Sequence, residues 1–224
     1  MKRNKLLELS RQNTVDINKK RIAYHEAGHA VAIFVNNKLN QFPPVFFQIT
    51  FNNTLQVTMP DAHADYQADI DYSAKIDGGR LINMLPGSIT DLINSVESKD
   101  KSFMTAFTTD IINLLIGPLA EAKYIALCDD EIFNKYLIPV NALHYYGGES
   151  DLAVINDYLA CYSSCKNQQD EFLSELASQA FDFVENDSNW KKIMMLAHYV
   201  IDKEIKSIDY EQISTLLETQ STHS

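Results

Sequence analysis

Arg21–Val35 reads RIAYHEAGHAVAIFV, and the rest of the chain is placed by working outward from it. Ile22, Ala27, Ala30, Val31, Phe34 and Val35 put apolar side chains around much of a helix, so this helix belongs inside a core. Within it stands His25-Glu26-Ala27-Gly28-His29, an H-E-x-x-H pattern. Two histidines four residues apart lie one helical turn from each other, so both imidazoles can face one ion while the intervening glutamate reaches a water beside it. The pattern fixes only three residues and also occurs on surface helices whose histidines are merely solvated. Here the apolar surroundings argue otherwise, because two imidazoles and a carboxylate are costly to bury without a partner. Gly28 costs about 1 kcal/mol in a helix interior relative to alanine, and close approach of a second backbone would account for it.

These residue types suit zinc hydrolysis. Neutral imidazole is a good zinc ligand, and a catalytic zinc leaves one position for a water whose pKa falls to about 7. Glu26 is then the candidate general base, taking the proton from that water and passing it to a leaving amine.

Upstream, residues 5–20 read as a polar amphipathic lead-in with Leu6, Leu7 and Leu9 as its strong apolar positions. Downstream, the motif helix should fade near Asn36-Asn37, and Pro43-Pro44 breaks the chain. Phe47, Ile49 and Phe51 alternate before Asn52-Asn53, and Leu55, Val57 and Met59 alternate after it, which predicts a β-hairpin turning at the two asparagines. Such a hairpin either covers the core or holds an extended substrate against its exposed backbone, with Phe47, Ile49 and Phe51 as substrate-binding candidates. Residues 60–104 carry an acidic first half, breaks at Gly78-Gly79 and Pro86-Gly87, and a short helix expected from Ser88 to Val96. Helical spacing returns over residues 103–127 through Ile111, Leu114, Leu115, Leu119, Ala122 and Ile125, and Pro118 should kink or restart that helix. Gly147-Gly148 followed by Glu149-Ser150-Asp151 and Leu-Ala-Val-Ile reads as a turn into a helix N-terminus, where Asp151 by itself could be no more than a cap. Two more helices are expected over residues 171–185 and 190–205.

The 224 residues suffice for one domain with a sizeable core, and a formal charge of −11 argues against a nucleic-acid or anionic-membrane surface. Cys128, Cys161 and Cys165 form no C-x-x-C pair, which suits a reducing compartment, and Cys161 and Cys165 read as core thiols on one helix. No signal-peptide core and no uninterrupted run of about 18 apolar residues is found. The expectation is a cytoplasmic protein without a membrane span, or one exported by a specialised route. No G-x-x-x-x-G-K-[ST] loop is present, so ATP use is not expected.

AYHEAGHAV, residues 23–31, resembles the zinc helix of the FtsH-type proteases, membrane-anchored AAA+ machines with a C-terminal zinc peptidase domain. IGPLAEA at 116–122 is similar to that family's second core helix, HYYGGESDLAVINDYL at 144–159 to the stretch that delivers an aspartate ligand, and IDYEQISTLLE at 208–218 to its closing segment. The resemblance covers about residues 15–42 and 105–218 and is weak between them. It implies a mainly α, zincin-like peptidase domain spanning 1–224, with a small β-hairpin beside the zinc helix and an insertion at about 60–104. It implies one zinc held by His25, His29 and Asp151. The 122 residues from His29 to Asp151 exceed the family's connection, and Glu149-Ser150 departs from its usual approach to the aspartate. Glu149, Glu121 and His144 are therefore alternative ligands. Glu121 could instead accept a hydrogen bond from a zinc histidine, and His144 could stabilise an oxyanion.

Two functions follow as expectations. The first is an ATP-independent zinc endopeptidase acting on flexible or unfolded proteins, as a monomer or dimer and with a possible partner protein. The second is an idle zinc-binding module that regulates or adapts an FtsH-type protease or another partner. A hydrolase of some other carbonyl substrate would use the same chemistry.

Overall fold

A computed structural model describes residues 2–58, 67–82 and 101–219, with side chains over 16–52, 73–82 and 102–219. The motif helix and its lead-in are one helix, α1 (Lys2–Leu39), because nothing in the first 27 residues, proline or glycine, interrupts it. At 1.5 Å per residue it runs to roughly 57 Å; residues 16–18 are exposed, whereas Ala27, Ala30, Val31 and Ala32 are buried.

A second long helix, α2 (Lys101–Cys128), packs against α1 and carries the apolar ladder of Phe107, Ile111, Leu115, Ile116 and Leu119. It continues through Pro118, where a kink or a restart was expected, so the helix does not restart there. Ser102–Cys128 is long and apolar enough to cross a membrane by length and composition, with a mean hydropathy of 1.5, a property the run-counting above misses. In the fold, however, 67% of that window is buried, as expected for the central helix of a core. The two helices cross at small residues: a Cβ on Gly28 would lie 2.8 Å from Ala120 Cβ and 3.0 Å from the Ile116 carbonyl oxygen. The close approach inferred for Gly28 is therefore observed.

The remaining helices close the core. A 3₁₀ helix (Val140–Tyr146) leads through Gly147, at φ 72°, into α3 (Glu149–Tyr162). Then come α4 (Lys166–Glu185) and α5 (Asp187–Asp202), which contribute Leu176, Ala180, Val184, Ile193, Leu196 and Val200. Asn186 accepts hydrogen bonds from the backbone N–H groups of Ser188 and Asn189, which caps α5 after the sharp α4–α5 junction. A short strand and the last helix, α6 (Tyr210–Thr219), place Ile213 and Leu217 in the same core. The architecture is mainly α with a small antiparallel sheet.

That sheet corrects the hairpin. Strand β1 (Phe47–Thr58) runs straight through Asn52 and Asn53, which pair with Ser73 and Tyr72 of β2 (Gln67–Gly78). The phase of the alternation explains this. A two-residue turn at 52–53 would put Thr54 and Gln56 on the face of Phe51 and Ile49, and would move Leu55 and Val57 to the other face. In one strand every odd position keeps the same face. The turn falls within residues 59–66, and the helix expected at Ser88–Val96 also lies outside the described residues. Strand β3 (Ser207–Asp209) pairs with the other side of β1 at residues 48–50, so the order is β2-β1-β3 and β1 is central. Phe47, Ile49 and Phe51 are all buried in the core. They are packing residues, and the backbone beside them already has partners on both sides.

Cys165, at the N-terminus of α4, and Cys128 are exposed and Cys161 is half-buried, so the pair read as core thiols is not one.

Candidate metal centre

His25 and His29 point from α1 toward the start of α3. Each ring is oriented by its Nδ1. His25 Nδ1 lies 3.2 Å from Glu121 Oε2 and 3.1 Å from the Tyr146 carbonyl oxygen, and His29 Nδ1 lies 2.9 Å from the Asn113 carbonyl oxygen. All three partners are acceptors, so each Nδ1 carries the hydrogen and each neutral ring leaves Nε2 bare. With both rings neutral the two Nε2 atoms face each other at 3.1 Å, a contact that a proton on either ring or a cation between them would relieve. Asp151 completes the triangle, its Oδ2 at 3.3 Å from His25 Nε2 and its Oδ1 at 3.4 Å from His29 Nε2. Lone pairs held this close repel unless a cation lies among them. Ligands bound at about 2.0–2.1 Å in a tetrahedron sit about 3.3–3.4 Å apart, which matches the spacing of these three atoms. His25, His29 and Asp151 form a buried group that could bind a metal ion.

Local structure puts each donor in place. Asp151 sits in the first turn of α3 behind Gly148, which is the N-cap, so its carboxylate is directed at the imidazoles and is not the cap. The N-terminus of a helix favours a negative charge there. Gly117, on α2, leaves the space that the His29 ring fills, since a Cβ at that position would lie 2.2 Å from Nε2. Gly147 serves His25 in the same way, since a Cβ there would meet Glu121 Oε2 at 2.9 Å and His25 Nδ1 at 3.1 Å. Arg21, one turn before His25, donates from Nε to Glu121 Oε1 at 2.9 Å and from a terminal nitrogen to the Tyr145 carbonyl oxygen at 3.3 Å. Arg21, Glu121 and His25 thus form a chain in which a guanidinium fixes the carboxylate that fixes the imidazole.

The electrostatics fit a site that exchanges protons for a cation. Burial opposes a charge on His25, but the Asp151 and Glu121 carboxylates outweigh it and push its pKa up to about 10. Burial would raise the Asp151 carboxyl, yet the imidazoles of His29 and His25 hold it well below the usual carboxylate range. For Glu26, burial prevails and pushes the carboxyl up against the pull of both histidines. Two buried carboxylate oxygens, Oε2 of Glu26 and Oδ2 of Asp151, have no hydrogen-bond partner. Buried acceptors are rarely left so, and both belong to the residues that a metal and its water would engage. A small cavity of about 30 Å³ opens beside His29 and Asp151, with room for one or two waters.

Of the residues singled out from the sequence, His25, Glu26, His29 and Asp151 are brought together. Glu121 joins them as a hydrogen-bond acceptor behind His25. His144 and Glu149 do not: both are exposed, and His144 bonds the Asn141 carbonyl oxygen and lies at a tilt against the Tyr145 ring. The parts played by Arg21, Asn113 and Gly117 are not among the sequence expectations, and Gly147 figures there only as a turn residue. An arginine one turn before an H-E-x-x-H histidine is the one signal among them visible in sequence, since it shares a helix face with the histidine. A larger cavity, about 760 Å³ and lined by residues such as Leu119, Leu143, Leu173 and Phe181, lies between α2, α3 and α4 and contains none of the cluster.

Searches against family models, curated proteins and solved structures found no match to this chain.

Proposed function

We propose that this chain is a zinc-dependent endopeptidase that cleaves flexible or unfolded polypeptides without ATP, in the manner of the FtsH-type peptidase domains its motifs resemble. The observation that carries this reading is the spacing of three bare ligand atoms, 3.1–3.4 Å apart, next to a buried and unpartnered glutamate on the same helix. His25, His29 and Asp151 would hold the ion. When bound, zinc supplies a Lewis acid and an acidified water at neutral pH. Glu26, one residue from His25, takes the water's proton and returns it to the departing amine. Its place next to His25 on the same helix puts it within reach of a water on the ion, as this proton transfer requires. Arg21 and Glu121 hold His25 in the tautomer that presents Nε2. An extended substrate would pair with β2, since β1 has neighbours on both sides, and the end of β2 at Gly78 borders the small cavity beside His29.

One observation favours the module without turnover. The ligand residues are only 3–8% exposed, and the adjoining cavity, at about 30 Å³, is too small to enclose a whole peptide side chain. Metal content and casein cleavage of the wild type and Glu26→Gln separate the two. Near-stoichiometric zinc in both, with cleavage reduced by about 10²–10⁴ in the variant, supports the peptidase. Zinc in both and cleavage in neither supports the module, and zinc in neither overturns both readings.

A further inference from the structure

The end of β2 carries a second polar cluster that the peptidase reading does not use. Gly78 and Gly79, at φ 94° and 82°, turn the chain out of the ladder. Gly79 donates its N–H to the Phe46 carbonyl oxygen at 3.1 Å and presses on Ile33 of α1, where a Cβ would lie 2.7 Å from the Ile33 Cδ1. Beyond the turn, Asp110 of α2 accepts from the backbone N–H groups of Leu81 at 2.8 Å and Ile82 at 3.0 Å. The residue between these anchors is Arg80, so its backbone is held from both sides.

Its side chain is held as well. The guanidinium lies 6.0 Å over the Tyr158 ring, and the charges of Arg80 and Asp110 both act on the Tyr158 hydroxyl. Arg80 is half-buried and lines the same cavity as His29 and Asp151. Asp110 is not in ion-pair contact with it: its carboxylate accepts two backbone N–H groups, and burial pushes its pKa up to about 6 against those bonds and the Arg80 charge. Among the described residues, no carboxylate lies within ion-pairing distance of the guanidinium. Among the described residues, a preorganised cation therefore stands beside the candidate metal centre of a chain of net charge −11.

We propose that Arg80 is a specificity residue that receives a carboxylate of the bound polypeptide, from an acidic side chain or from a free C-terminus. A planar guanidinium matches a carboxylate with two parallel hydrogen bonds, and stacking on Tyr158 lowers the entropy cost of holding it there. The proposal rests on the peptidase reading for the class of substrate, although the binding it describes does not require turnover.

The test uses the full zinc-loaded chain carrying Glu26→Gln, so that bound peptides survive, and fluorescence anisotropy with four peptides of one length. One has an internal glutamate and an amidated end, one an internal glutamine and a free end, one both carboxylates and one neither. The carboxylate peptides should bind more tightly than the neutral one. Arg80→Gln should weaken them about tenfold and leave the neutral peptide unchanged, and Arg80→Lys should restore part of the loss. Which single-carboxylate peptide responds identifies the source. Equal binding of all four, an equal loss for all four in Arg80→Gln, or no binding of any overturns the proposal. Arg80-dependent binding combined with no cleavage by the wild type would remove the peptidase reading and leave Arg80 in place. Cleavage without a charge preference would do the reverse.

Discussion

Asp151 and Asp110 are buried carboxylates on the same small cavity, 8% and 1% exposed, and the chain has driven them in opposite directions. Asp151 faces two imidazoles, and its carboxyl is held well below the ordinary range despite its burial. Asp110 faces backbone N–H groups, the charge of Arg80 and a tyrosine, yet burial prevails and its pKa rises to about 6. Burial is thus not what makes a ligand. Asp151 is a charge waiting for a cation, with one oxygen left unpartnered, whereas Asp110 has its hydrogen bonds filled and serves to fasten the segment after β2 to α2.

Exchanging each for asparagine breaks the comparison most directly. Asp151→Asn removes the only carboxylate of the ligand set and should weaken zinc binding by more than about 100-fold in a chelator competition, beyond what loss of a supporting residue costs. Asp110→Asn should leave zinc affinity within about threefold. Equal losses would mean that the two sides of the cavity are one structural unit and that the proposed division of labour is wrong.

The next effect is a pH dependence. Asp110 has a folded pKa of about 6 against 3.8 for the free group, so the folded state binds the proton more tightly. Its contribution to stability therefore rises as pH falls from about 6 to 3.8. The sign for Asp151 is opposite, since its lowered pKa contributes stability above 3.8 that is lost as pH falls further. The windows are separate. Urea unfolding of the zinc-free wild type should gain, relative to Asp110→Asn, on the order of 2–3 kcal/mol between pH 7 and pH 4. A flat difference would mean that the Arg80 charge cancels the effect of burial on the Asp110 carboxyl, which would also weaken the case for Arg80 as a receptor.

These two carboxylates also mark what could be read from the sequence. The H-E-x-x-H spacing places His25, Glu26 and His29 on one face without any tertiary knowledge, and a glycine pair ahead of Asp151 identifies a helix start. Gly28 announces a close helix crossing through its cost alone. The strand error came from reading Asn52-Asn53 by type and ignoring phase, although Phe47, Ile49, Phe51, Leu55 and Val57 all occupy odd positions and fit one uninterrupted strand. Arg80 and Asp110 were invisible for another reason. They are 30 residues apart, and their link is made by backbone N–H groups, which carry no side-chain signature. Glu121 lies between these cases: its type suggested a histidine partner, but only the fold brings it to His25, 96 positions away.

The smallest effect concerns Arg21, which touches neither the ion site nor the cavity. Its bond to Glu121 is short, its side chain is about one-third exposed, and Glu121 is almost fully buried. As an isolated surface pair this would contribute little. Behind a ligand it has a different consequence, because the guanidinium fixes the rotamer of the carboxylate that selects the His25 tautomer. Arg21→Met keeps much of the aliphatic bulk and leaves Glu121 free to turn. Zinc affinity should fall about tenfold with little change in the thermal unfolding of the zinc-free protein, and Arg21→Lys should recover part of the affinity by restoring a single charge without the fork. If Arg21→Met instead lowers the unfolding temperature and leaves zinc affinity unchanged, the arginine is fastening the 3₁₀ helix to α1 through the Tyr145 carbonyl, and the order in His25 comes from Glu121 and Tyr146 alone.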